Sequence, residues 1–315
     1  MSEILTATRE LTHMETVMAP IDLRSISADF PFESKYVDVL GSKLHYVDEG
    51  QGDPILFLHG IPMSSYLWRN IIPILSPHAR CIAPDLIGME QSDLPNIEYR
   101  VFDHIQYIEE FITALDLKNI TLMVHGWGSV IGFDIAMRYP ERFKGLAFLE
   151  SHIRPVTDWS MVSLPVQELS VVLSAPDGGY DVIMNSNYFV NKVLPGGVLR
   201  KLTEEEMEHY RAPFLRPNAC KPLWQYLQDL PLGDGPEDVV NLITDYSRKL
   251  QLSGLPKLMM YAVPGYITTI STVEWARDNL SNLTMVDVGD ALHFAQETNP
   301  VRIGTELKQW YKSLD

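Results

Sequence analysis

One short segment constrains this chain more than any other. The apolar run Asn119–Met123 passes through Val124-His125-Gly126-Trp127-Gly128-Ser129 into the helix-like stretch Val130–Met137. A short apolar run, a glycine-broken turn and a helical pattern predict a buried strand, a sharp turn and a helix. Such a turn, with a small residue two places before and a glycine two places after its centre, lifts the central side chain above the end of a sheet. In chains that catalyse through a covalent bond, that side chain is the nucleophile. Here the central residue is Gly126. The turn built to present a reactive atom has none to present.

The rest of the chain alternates short apolar runs with amphipathic segments, which predicts a mostly parallel sheet covered by helices. Tyr36–Val39 and Lys43–Val47 flank Leu40-Gly41-Ser42 as an opening antiparallel hairpin. Pro54–Leu58 reads as a buried strand entering the loop His59-Gly60-Ile61-Pro62, and Cys81–Pro84 as another entering Asp85–Met89. The helix Phe102–Ile112 precedes the elbow strand, and the strand Gly145–Glu150 follows the elbow helix. Leu255–Tyr261 and Leu283–Val288 continue the sheet, and the loop after the last strand carries His293.

The His-Gly loop, the Pro-Asp-Leu-Ile-Gly loop, the elbow and the late histidine occur in the order and spacing of the α/β-hydrolase superfamily. The chain most resembles haloalkane dehalogenases and Renilla-type luciferases, from about residue 30 to the end. Ser64–Asn70 and the cap-like stretch Val193–Leu202 carry further likeness. The resemblance implies an α/β-hydrolase fold, a mostly parallel sheet flanked by helices with an inserted helical cap. The expected organisation is an N-terminal arm over 1–26, a core over 27–154 and 242–315, and a cap over 155–241. Breaks at Pro176–Gly179 and Pro231–Gly235 are expected within the cap.

Bulk properties narrow the partners. A chain of 315 residues, 46% hydrophobic and 21% charged, can bury a substantial core. Its 41 acidic against 25 basic residues give a formal charge of −16, which argues against nucleic acid or an anionic membrane as partner. Neither a membrane-spanning run nor a signal-peptide pattern is apparent, and Cys81 and Cys220 suggest neither a disulfide framework nor a metal site. A cytoplasmic location is expected, with a small, largely apolar substrate and no membrane insertion. No cofactor or metal is expected, for no phosphate loop or metal-ligand spacing is found.

The resemblance places the catalytic base at His293 and its orienting acid at Glu150, which ends the strand after the elbow helix. A carboxylate there would accept the Nδ1 proton and fix the tautomer of the imidazole. The loop after the next strand, Val263–Thr269, holds no acid that could take that part. The backbone N–H groups of Ile61 and Trp127 match the superfamily's oxyanion hole, and both residues are expected to line the substrate pocket. Two departures argue against dehalogenation itself. The position of the attacking carboxylate is Gly126, and Ile61 stands where the family usually carries an Asn that donates to the leaving halide. Asp85 is expected to brace its loop, Asp290 to be solvated, and Ser129 and Asp134 to lie in the elbow helix; with His125, those two are not nominated as nucleophiles. Trp159, Met161, Tyr188, Phe189 and Phe214 are expected to build pocket wall and core. Acid–base chemistry without a covalent intermediate is the leading expectation: elimination, cyclisation, carbon–carbon bond formation or cleavage, or hydrolysis by activated water. A non-catalytic ligand-binding protein and an inactivated haloalkane dehalogenase are the alternatives.

Overall fold

The computed structural model describes residues 26–173, 179–231 and 235–314. The expected N-terminal arm therefore lies outside the described residues except for Ile26, as do parts of both expected breaks in the cap.

Eight strands form one sheet: β1 (Lys35–Val39), β2 (Ser42–Glu49), β3 (Pro54–Leu58), β4 (Arg80–Pro84), β5 (Ile120–Gly126), β6 (Phe143–Ser151), β7 (Lys257–Tyr261) and β8 (Leu283–Asp287). Their spatial order is β1-β2-β4-β3-β5-β6-β7-β8. β1 and β2 form the expected hairpin, β2 runs antiparallel to β4, and every later pairing is parallel. The sequence pattern follows from position in the sheet. β3 and β5 are buried at every residue, as strands covered by helices on both faces must be. The edge strand β1 alternates between partly buried and exposed positions over its first four residues.

Helices α1 (Ile72–Leu75), α2 (Val101–Ala114) and α3 (Trp127–Arg138) precede β6. α2 buries Val101, His104, Ile105, Ile108, Phe111 and Ile112, the spacing of one helical face. Between β6 and β7 the chain runs through α4 (Leu164–Leu173), α5 (Gly179–Ser186), α6 (Leu194–Gly196), α7 (Glu204–Arg211), α8 (Lys221–Asp229) and α9 (Glu237–Leu252). α10 (Ile270–Asn279) and α11 (Pro300–Lys312) complete the core. α9 crosses the expected boundary at 241–242 without a break and packs Tyr246 against Phe133 of α3, ring centroids 5.8 Å apart. Among the described residues no helix is long and apolar enough to cross a membrane.

β5, β6 and the loop after β8 bring their C-terminal ends to one rim of the sheet. That rim is where open α/β sheets place their chemistry.

Candidate active site

The elbow forms where the sequence predicts it. β5 ends at Gly126 with φ +52° and ψ −125°, and Trp127 opens α3. A side chain at these angles is strained, so glycine relieves the backbone here. It also empties the space above the turn. An ideal Cβ on Gly126 would lie 3.5 Å from Gly60 Cα and 3.6 Å from Nε2 of His293, ordinary contact distances.

Glu150 reaches the same place from β6. The register between β5 and β6 shifts at His125/Gly126, so that Gly126 pairs with Ser151. Glu150 adopts φ +47° at this irregularity, an uncommon backbone conformation for glutamate. Its carboxylate is held on several sides. Oε2 accepts from the backbone N–H groups of Tyr266 (2.9 Å) and Ile267 (2.9 Å), and Oε1 from Thr268 (3.1 Å). Nδ1–H of His293 donates to Oε2 over 2.7 Å. Charge-assisted hydrogen bonds of this kind contribute about 1.5–3 kcal/mol each, enough together to hold a backbone conformation that costs about 1–3 kcal/mol. Burial by itself raises the Glu150 carboxyl, but the hydrogen bonds from His293, Ile267 and Tyr266 outweigh it and hold the group below its ordinary value. Glu150 is buried, not a surface carboxylate paired with neighbouring Arg154.

The donor loop is built for this acceptor. Gly265 has φ +59°, and a Cβ there would meet Thr268 O at 2.4 Å and Glu150 Oε1 at 2.6 Å. The loop without an acid thus supplies the three backbone donors that seat an acid from the neighbouring strand. The sequence signal was only its glycine.

His293 is fixed on all sides but one. Its ring stacks on Tyr266, centroids 5.8 Å apart and planes within 15°, and contacts His125 and Phe294, each at 4.6 Å. His125 is kept neutral by burial, and its Nε2–H donates to the His293 carbonyl over 2.9 Å. With Nδ1–H committed to Glu150, the Nε2 lone pair of a neutral His293 faces the space over Gly126.

Ile61 lies on the loop after β3, and Trp127 is the first residue of α3, whose leading N–H groups have no partner inside the helix. The two segments are close: a Cβ on Gly60 would lie 3.0 Å from the Trp127 nitrogen. An apolar cavity adjoins the dyad, lined by Ile61, Val162, Phe189, Tyr226, Phe294 and His293 among others. The Trp127 side chain is not among the residues that line this cavity. The indole sits one layer back, edge-to-face against Tyr226 (4.8 Å) and His152 (5.8 Å), both of which do line the cavity. Of the five cap aromatics and methionines expected to build pocket wall and core, Phe189 lines this cavity and Phe214 is buried in the core.

The remaining candidates lie apart from the dyad or serve it indirectly. Asp85 is buried, bonded to His45 Nδ1 at 2.6 Å and to the N–H of Ser65 at 2.8 Å, and braces its loop. Asp290 is exposed. Ser129 and Asp134 lie within α3; Ser129 donates to Gly126 O at 2.6 Å and accepts from His152 N–H at 2.9 Å. Sequence reasoning passed over His152. It is buried, lines the cavity, and neither ring nitrogen has a hydrogen-bond partner among the described residues. Burial pushes its imidazole down to about 4, with the neighbouring His293 adding to the shift, so it is neutral near pH 7. Among the described residues no cluster of side chains could hold a metal ion.

This sheet and elbow define a class, and the chain belongs to it: the model of the alpha/beta hydrolase fold family matches residues 53–300. Within that class it is similar to the haloalkane dehalogenase of Mesorhizobium japonicum, 39% identical over 277 residues, covering 87% of this chain and 89% of the relative. A haloalkane dehalogenase of Sphingobium indicum is 40% identical, with 90% and 97% covered. Among solved structures, the haloalkane dehalogenase DbeA from Bradyrhizobium elkani superposes with a TM-score of 0.87 at 36% identity, over 90% of this chain and 98% of that one. A putative ancestral haloalkane dehalogenase gives 0.86 at 39%, over 89% and 99%.

Proposed function

We propose that this protein is a haloalkane-dehalogenase-like enzyme that works without a covalent intermediate. His293 is the general base and Glu150 its orienting acid. The carrying observation is the pairing of a committed Nδ1 with a free Nε2: 2.7 Å to a buried carboxylate on one side, and on the other the empty space over Gly126. Neutral His293 takes a proton through Nε2 from substrate or water, and the imidazolium that forms is stabilised by Glu150. The N–H groups of Ile61 and Trp127 are the expected donors to an oxygen that gains negative charge in the same step. Displacement of halide by an enzyme carboxylate has no attacking atom at the elbow, so dehalogenation by that route is not expected.

The substrate is small and largely apolar, because the cavity beside the dyad is. Water activation would give hydrolysis, whereas proton removal from carbon would give elimination, cyclisation, or formation or cleavage of a carbon–carbon bond. Intact-protein mass spectrometry on samples quenched during incubation with metabolite extract tests the absence of a covalent step. The unmodified mass is expected throughout. An adduct that forms and then decays as product appears would overturn the proposal.

A further inference from the structure

Three residues of the cap, Gly196, Gly197 and Arg200, between them touch the two loops that make the dyad. Gly196, the last residue of α6, accepts a hydrogen bond from the Tyr266 hydroxyl at 2.6 Å. Tyr266 in turn gives its N–H to Glu150 and its ring face to His293. Gly197 O accepts the N–H of Phe294, the residue after the base, at 2.9 Å. Arg200 closes the set. Its Nη2 donates to Glu297 Oε2 at 2.8 Å and its Nε to the Glu297 carbonyl, in the short turn Ala295–Glu297 that follows His293.

Glu297 is in turn anchored to the core. Arg69 donates to it through Nη1 (2.5 Å) and Nη2 (2.9 Å), and the Tyr210 hydroxyl of α7 donates as well. Glu206 of α7 binds both Arg69 (2.8 Å) and Arg200 (2.7 Å from Nη1). Two arginines and two glutamates thus balance in a buried cluster shared by cap and core. Breaking such a cluster leaves uncompensated charge, so the cap is seated firmly at this one edge.

We infer that the cap segment Gly196–Arg200 is a clasp that aligns His293 with Glu150, rather than only a cover over the substrate. Gly196, Gly197 and Arg200 are positioning residues: none of them is needed to touch the reacting atoms. The clasp reaches Glu150 through Tyr266 and reaches His293 through Phe294 and Glu297. Movement of this edge of the cap therefore loosens the dyad, and seating it restores the alignment. The inference rests on the proposed role of the dyad, but its test does not require turnover.

The test is NMR of the full-length protein labelled with 15N-histidine. The Nδ1-bound proton of His293, held against Glu150, gives a downfield resonance; the His45 proton against Asp85, held at 2.6 Å, is an internal reference. Gly197→Ala places a Cβ 2.8 Å from the Phe294 ring and displaces the loop of His293. Tyr266→Phe keeps the ring on His293 and removes only the link to Gly196, so it preserves the fold. In both variants the His293 proton is expected to shift upfield or be lost to exchange while His45 is unchanged. In Tyr266→Phe, amide exchange over Tyr266–Thr268 is expected to rise roughly tenfold, the effect of losing one hydrogen bond. An unchanged His293 resonance in either folded variant overturns the clasp. A responsive resonance in a protein that turns over nothing would leave the clasp standing and sink the reaction.

Discussion

The Cβ that Gly126 lacks would stand 3.6 Å from Nε2 of His293. The empty position over the elbow and the free nitrogen of the base therefore share one small space. Several consequences of that relationship are measurable.

Gly126→Asp should fold, because the contacts its Cβ meets are ordinary. It should lose about 1–3 kcal/mol of stability from the strained backbone angles, read as a lower urea midpoint. Release of bromide from a primary bromoalkane should stay about 10²-fold or more below that of the double variant Gly126→Asp/Ile61→Asn, which also supplies a side-chain donor for the leaving ion. Full halide release from the single variant would favour an inactivated dehalogenase.

His293→Ala should lower kcat by about 10²–10⁴-fold, the usual worth of a positioned base, and cost about 1–3 kcal/mol of stability, because the buried Glu150 carboxylate loses the hydrogen bond from Nδ1. Glu150→Gln should do both kinds of damage. An amide cannot accept all four hydrogen bonds that the carboxylate accepts, and it presents an NH₂ to backbone donors. A loss of about 1–3 kcal/mol in denaturant unfolding is expected alongside the loss of turnover. Unchanged stability would mean that the amides of 266–268 do not hold the acid.

Acid should weaken the fold well above the carboxylate range. Burial holds His104 down to about 3 and His152 to about 4, against an ordinary 6.5. Both are neutral in the folded protein, while the unfolded chain binds protons below 6.5. These two groups therefore bind up to about two protons on unfolding, and stability falls as pH drops from 6.5 towards 4. Glu150 and Asp85 are held below 4.5 and 3.8 respectively. Their stabilising contributions are present above those values and are lost at still lower pH. Urea midpoints that stay flat from pH 7 to 5 would contradict the burial of neutral histidines.

His152→Leu should raise stability by about 1–3 kcal/mol, since it removes two buried nitrogens that have no partner among the described residues. If the imidazole serves a polar atom of the substrate, the same variant should bind or turn over substrate less well. A more stable variant with unaltered turnover would make His152 a packing residue only.

Much of this site was legible because the chemistry is local at three points. The elbow is written in one stretch, Val124–Ser129; Glu150 closes a readable strand; and His293 follows one. Their convergence needed only the parallel order of β5, β6 and β8. The support around them was not legible. The amides of Tyr266, Ile267 and Thr268 act through the backbone, which carries no residue signature beyond Gly265. The edge-to-face contact of Trp127 with Tyr226 is a matter of packing between α8 and the elbow, which no sequence pattern reports. The cap clasp joins residues about 100 positions apart in sequence, such as Arg200 and Glu297, and no periodicity reports that pairing. The expected end of the cap fell inside α9 because that helix has no internal break where its neighbours change.

The central claim is that His293 performs chemistry although the elbow is empty. The most direct measurement compares wild type and His293→Ala after incubation with metabolite extract from the source organism, by untargeted mass spectrometry. The account predicts a compound consumed by wild type and left intact by the variant, with a mass change that separates water addition from elimination or rearrangement. A compound retained unchanged by both proteins, with nothing consumed by either, would contradict it and make this a ligand-binding protein.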